Sequence, residues 1–194
     1  MKKVVLATIL ASVFGIASAG PYVSSTYDLK DKQNSTQMNH VYGLNVGEKF
    51  DNGITVEARM ENERVEPGAG ATQKQEGLGQ VKLSYDISTG TMFTPYVAGA
   101  FGHKNKSTLD FNFWVAEAGV KAKLGDAVVR YGFRRRTAVD NSTTNAYDTN
   151  EQTIALGYNI TKNDNISIAY KLERRNDSVS SEYNTKGIYY TRSF

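Results

Sequence analysis

With 194 residues, no cysteine, 40% hydrophobic and 11% aromatic content, the chain is long enough for one domain and excludes a disulfide scaffold or a thiolate metal centre. The formal net charge of +3 comes from 23 basic and 20 acidic residues, and two of the lysines, Lys2 and Lys3, belong to the first 19 residues. The rest then carries 21 basic against 20 acidic residues, a near-neutral balance that gives no support to nucleic-acid binding.

The N-terminus reads as an export signal. Lys2 and Lys3 precede an apolar run from Val4 to Ile16, and Ala17-Ser18-Ala19 is a small-residue cleavage site. The run is too short to span a bilayer as a helix. Residues 1–19 are therefore expected to be removed before Gly20, leaving residues 20–194 as a single domain of 175 residues. No later stretch could be a transmembrane helix. An exported chain of this kind is left with the periplasm, the medium or a β-barrel of the outer membrane as destinations.

Ten strands are expected, over residues 21–29, 38–49, 53–64, 75–87, 91–103, 109–123, 126–137, 150–160, 164–175 and 185–194. The first, PYVSSTYDL, is short. In the third, Ile54, Val56, Ala58 and Met60 alternate with Thr55, Glu57, Arg59 and Glu61. In the fourth, Val81, Leu83, Tyr85 and Ile87 oppose Gln80, Lys82, Ser84 and Asp86. The fifth, MFTPYVAGAFGH, is apolar on both faces, with Pro95 near its start where a missing donor costs least. The sixth and seventh form a hairpin about Gly125-Asp126: Trp114, Ala116, Ala118, Val120, Ala122 and Leu124 share one face with Val129, Tyr131 and Phe133, while Glu117, Lys121, Lys123, Arg130, Arg134 and Arg136 take the other. The eighth and ninth repeat this, Ile154, Leu156, Tyr158 and Ile160 with Ile166, Ile168, Tyr170 and Leu172 outside, and Thr153, Ala155, Gly157, Lys171 and Glu173 inside.

Apolar outside and ionic inside inverts the pattern of a soluble sheet and points to an all-β, antiparallel, up-and-down transmembrane β-barrel. About ten strands fit the chain, with eight left open by the two weaker arms and twelve as a further alternative. Connections alternate between tight turns (Phe50 to Gly53, Ser88 to Gly90, Leu124 to Asp126, Thr161 to Asp164) and longer polar loops (Lys30 to Gln37, Val65 to Lys74, Lys104 to Thr108, Ala138 to Thr149, Asn176 to Asn184). That asymmetry places short turns in the periplasm and long loops outside. Twelve tyrosines and eight phenylalanines suit interface girdles in contact with membrane lipid. The chain ends on Phe194, which resembles the C-terminal signal that the barrel-assembly machinery reads, although Arg192 stands where that signal is usually apolar.

The inward positions form a mixed ionic lining. A basic ladder of Lys121, Lys123, Arg130, Arg134, Arg136, Lys171 and Arg175 faces the acidic partners Glu57, Glu61, Glu117 and Glu173, with Arg59, Lys82, Glu63 and Asp86 also inside. A narrow barrel is nearly filled by its own side chains, and unpaired buried charge is costly. Two functions are open: a narrow water-filled channel whose ladder attracts small anionic solutes, or a closed structural or adhesive barrel with a salt-bridged lumen and working surface loops.

The run Val41 to Glu61, with FDNG between two amphipathic arms, and VRYGFRRR from Val129 to Arg136 resemble the oligogalacturonate-specific monomeric porins. The resemblance extends in turn placement over residues 21–175. It implies a basic lumen track that passes acidic sugars. Members of that family are expected to have twelve strands, two more than are read here. An enzyme is not expected: only His40 and His103 are present, His103 sits beside the cationic Lys104, and no metal-ligand spacing, cofactor motif or phosphate loop occurs, since the GAGAT run lacks the strand, helix and lysine of a phosphate cradle.

Overall fold

Strict two-residue alternation, with apolar side chains on one face of every arm, is satisfied when the sheet closes on itself. In the computed structural model, which describes residues 20–66, 72–106, 110–139, 147–176 and 181–194, it does so. The strands are β1 (Gly20–Lys32), β2 (Met38–Lys49), β3 (Ile54–Glu66), β4 (Lys74–Asp86), β5 (Phe93–Asn105), β6 (Asp110–Leu124), β7 (Ala127–Ala138), β8 (Thr149–Asn159), β9 (Asp164–Arg175) and β10 (Glu182–Ser193). Each pairs antiparallel with its neighbours in sequence, and β1 pairs with β10 to complete an up-and-down barrel. The expected signal at residues 1–19 lies outside the described residues, as does part of each of the four longer loops after β3, β5, β7 and β9.

Ten strands, not eight or twelve, are present, and both weaker arms are genuine. β1 runs through Lys32 instead of ending at Leu29, because it is paired on both sides along its length and its upper residues find partners on β10. β5 continues to Asn105, which brings Lys104 from the expected loop into the wall. β10 begins at Glu182, three residues earlier than expected.

The register fixes the tilt. Following partners from Gly20 through Lys49, Thr55, Ser84, Ala98, Glu117, Arg134, Glu151, Glu173 and Tyr183 returns to β1 at Lys32, twelve residues above the start. Rows of paired residues therefore climb toward the long-loop end as they pass from β1 to β10, as a closed barrel of tilted strands requires.

Turns are tight at one end. Gly53, Gly90 and Gly125 all have positive φ, at 86°, 69° and 63°, a conformation costly for residues with a Cβ. Inside the wall, Gly119 and Gly132 are required for a different reason. The Tyr96 ring lies against both, and a Cβ at either would collide with it.

Outside, the apolar face is bare. Phe101 is 59% exposed, Ile168 58% and Leu83 56%, and such residues continue around the barrel. A soluble monomer rarely leaves so extensive an apolar surface uncovered, whereas a lipid-facing band does.

Candidate functional site: a lumen divided in two

The charged residues expected inside do face inside, and strand length adds more of them. Lys30 and Asp28 on β1 and Lys104 on β5 are buried and line the lumen. Sequence reading placed Lys30 and Lys104 in loops; the signal that could have found them is the continued alternation, which puts Lys30 in phase with Ser24, Thr26 and Asp28, and Lys104 in phase with Tyr96 and Gly102.

Toward the long-loop end the lumen is packed shut. Lys104 Nζ lies 2.7 Å from Glu63 and 3.1 Å from Glu76, and Glu63 also accepts from Asn39 at 2.6 Å. Lys30 pairs with Glu173 at 3.0 Å, and Arg175 Nε reaches the other oxygen of the same carboxylate at 3.2 Å. Below them Lys171 lies 2.6 Å from Asp28, which also accepts from Tyr189 at 2.6 Å, and Arg59 pairs with Glu61. Aromatic rings fill what the ions leave. Phe111, Phe113 and Val115 form a fully buried cluster with Leu78 and Tyr147 packed against it. Arg136 is buried with its guanidinium 5.6 Å from the Phe113 ring centre and its Nε without a hydrogen-bond partner among the described residues. The cavity lined by Lys30, Glu63, Lys104, Arg136 and Glu173 has a volume of about 60 Å³.

The turn-end half differs because one wall is built from small residues. Ala155, Gly157, Ser167 and Ala169 on β8 and β9 leave a cavity of about 360 Å³, continuous through Tyr22, Glu57, Lys82, Lys121, Arg130 and Thr191 with a further 280 Å³ at the turn-end mouth. The opposite wall is ionic. Arg130 Nε donates to Tyr96 Oη at 2.9 Å and its NH2 group pairs with Glu117, while Tyr96 donates to Glu117 at 3.0 Å. Lys121 and Lys49 share Asp86, at 2.6 and 3.4 Å. Glu57 accepts from Tyr22 at 2.7 Å and lies 3.6 Å from Lys82. Seven cations (Lys49, Arg59, Lys82, Lys121, Arg130, Arg134, Lys171) border these two connected spaces against four carboxylates (Glu57, Asp86, Glu117, Glu151). Two of the seven, Arg59 and Lys171, are already paired with Glu61 and Asp28, which leaves five cations against the four carboxylates.

The expected ladder is thus split by its surroundings. Lys121 and Arg130 line the open half, with Lys123 exposed at the mouth. Arg134, hydrogen-bonded to Gln80 at 3.2 Å, stands at the boundary, and Lys171, Arg136 and Arg175 are built into the closed half. Neither histidine joins the lumen. His40 Nδ1 is 2.8 Å from the Tyr27 hydroxyl and His103 Nδ1 is 3.0 Å from Asn112, both on the outer wall.

No protein-family model and no curated protein sequence matches the chain. Solved structures do. It is similar to the NanC porin, at 12% identity and a TM-score of 0.56, over 89% of this chain and 100% of the porin. Weaker superpositions are found with Neisserial surface protein A (10% identity, TM-score 0.47, 92% of this chain and 100% of that one) and with the KdgM porin (11%, 0.45, 88% and 99%). At this identity the NanC likeness establishes the fold: a closed outer-membrane-type β-barrel.

Proposed function

We propose that this chain is a porin-type barrel of the bacterial outer membrane whose lumen is a basic vestibule, open toward the periplasm for small anions and shut toward the outside by an ionic and aromatic plug. The observation that carries this is the contraction of free space along one lumen, from about 360 Å³ between the small-residue wall and Arg130 to about 60 Å³ among Lys30, Lys104, Glu63 and Glu173. Membrane location is supported by the exposed apolar band and the porin-like fold. The orientation rests on the short turns, which in bacterial outer-membrane barrels lie on the periplasmic side.

A second reading has specific support. The cationic surplus along the vestibule would suit one half of a narrow anion channel, whose solutes could include acidic sugars, as the family resemblance implies. The two readings separate in planar bilayers. The plugged barrel gives no steady conductance steps as wild type, and Phe111→Ser with Phe113→Ser, which removes the rings closing the loop end, produces them. Steady anion-selective steps from the wild type would overturn the plug and leave the channel.

A further inference from the structure

The outer wall carries a feature that the lumen does not explain. A groove of about 690 Å³ crosses β8, β9 and β10 to β1. Its floor is the backbone at Ala155, Ala169 and Gly187, which are register partners in turn. One bank is the row Leu156, Ile168, Ile188 and Tyr27, and the other is Ile154, Tyr170, Lys186 and Leu29, each row again joined partner to partner. Both banks are apolar except for Lys186.

The barrel's shear sets the groove's direction. Rows climb toward the long-loop end on passing from β8 to β1, so the groove is deepest in the apolar band near Val129 and Leu156 and shallowest where Lys186 and Leu29 stand. Lys186 is exposed and has no carboxylate partner among the described residues. Three other outward cations are matched: Arg64 with Glu66 at 3.3 Å, Arg174 with Glu182 at 2.7 Å and Arg192 with Asp164 at 3.6 Å. A slanted apolar trough that ends at an unmatched ammonium group beside Tyr170 has the chemistry of a lipid with a phosphate at its head.

We infer that the β8–β1 groove is a binding site for one acyl chain of a net-anionic phospholipid, with the headgroup phosphate on Lys186. Charge complementarity at the shallow end chooses an anionic lipid over a second copy of the chain, which would set Lys186 against Lys186 or against apolar surface. The site rests on the membrane reading above.

The test is native mass spectrometry of the folded mature protein in mixed micelles of phosphatidylglycerol and phosphatidylcholine with identical acyl chains. Wild type should retain phosphatidylglycerol about fivefold over phosphatidylcholine, the preference that one lysine at a membrane surface supplies. Lys186→Gln should abolish that preference, and Leu156→Trp, which folds a ring over the floor, should lower retention of both lipids. Arg135→Gln and Leu83→Trp change an outward cation and a lipid-facing leucine away from the groove and should alter neither. Equal retention of the two lipids by wild type, or equal effects of the control variants, would overturn the site. A dimer lost in Leu156→Trp would assign the groove to a second copy and overturn it as well. Heat-dependent gel mobility of each sample separates these outcomes from failure of the barrel to insert.

Discussion

Lys30 and Glu173 meet at 3.0 Å across an intervening strand, β10, and both are buried. Glu173 also holds Arg175, so loss of its charge leaves two cations uncompensated in the tightest part of the lumen. Removing one member of a buried pair costs about 3–5 kcal/mol. Glu173→Gln should therefore destabilise the barrel by about 3 kcal/mol in urea unfolding from lipid vesicles, while Lys30→Met combined with Glu173→Leu recovers most of that loss. A single variant as stable as wild type would show that the pair is hydrated and contributes little.

Adjacent residues on β8 should respond oppositely to the same substitution. Leu156 faces out and is 49% exposed on the apolar band, whereas Ala155 points its Cβ toward the larger cavity. Leu156→Arg should cost about 2–4 kcal/mol, the depth-dependent penalty of arginine against lipid. Ala155→Arg has room and water and should cost less. Equal costs would contradict the register of β8 in a membrane.

The vestibule predicts anion binding without conduction. Citrate, a compact tricarboxylate, is a suitable probe in calorimetry of the detergent-folded protein. Lys121→Gln with Lys123→Gln removes two cations near the mouth and should weaken citrate binding about tenfold, the loss of one charge-assisted hydrogen bond. Arg175→Gln, in the closed half, should leave it unchanged. If Arg175→Gln weakens binding as much, the anion site lies at the loop end.

Most of the barrel could be read from alternation because a two-residue period writes each side chain's face directly into the sequence. That rule alone puts Glu57 and Arg59 on the inner face, and they border the lumen. What alternation could not show was distance along the axis. Lys121 and Arg136 have the same phase on neighbouring strands, yet one is in the vestibule and the other in the plug. The difference arises from their places along the hairpin, since Lys121 pairs with Arg130 near the turn and Arg136 with Val115 six residues farther along, and from the size of the residues opposite, Gly157 and Ala169 below and Phe111 and Phe113 above. β5 illustrates a second limit. Its inner face looked wrong for a lumen because Tyr96, Ala98 and Ala100 are uncharged, but Tyr96 organises Arg130 and Glu117 through its hydroxyl. The strand ends were missed because pairing above the apolar band continues without an apolar signal, which hid Lys30 and Lys104.

The last prediction concerns pH and Lys106, which follows β5 at the loop end with its ammonium 4.6 Å from the Tyr147 ring centre. Burial pushes its pKa down to about 7, helped by the nearby Arg175 and Lys104. An ordinary lysine titrates near 10.4. Between these values the unfolded chain binds the proton and the folded chain does not, so this group's contribution to stability rises with pH across the window and is least favourable below about 7. The neutral amine is also the nucleophile toward acylating reagents. Modification of Lys106, read by peptide mass spectrometry, should increase through about pH 7 and level off near pH 8, where an ordinary surface lysine is still gaining reactivity. Arg175→Gln removes the largest of its cationic neighbours' effects and should move the midpoint upward. A Lys106 profile that keeps climbing to pH 10 in the wild type would mean that the amine is solvated and the loop-end cluster is looser than the packing of Phe111, Tyr147 and Lys104 implies.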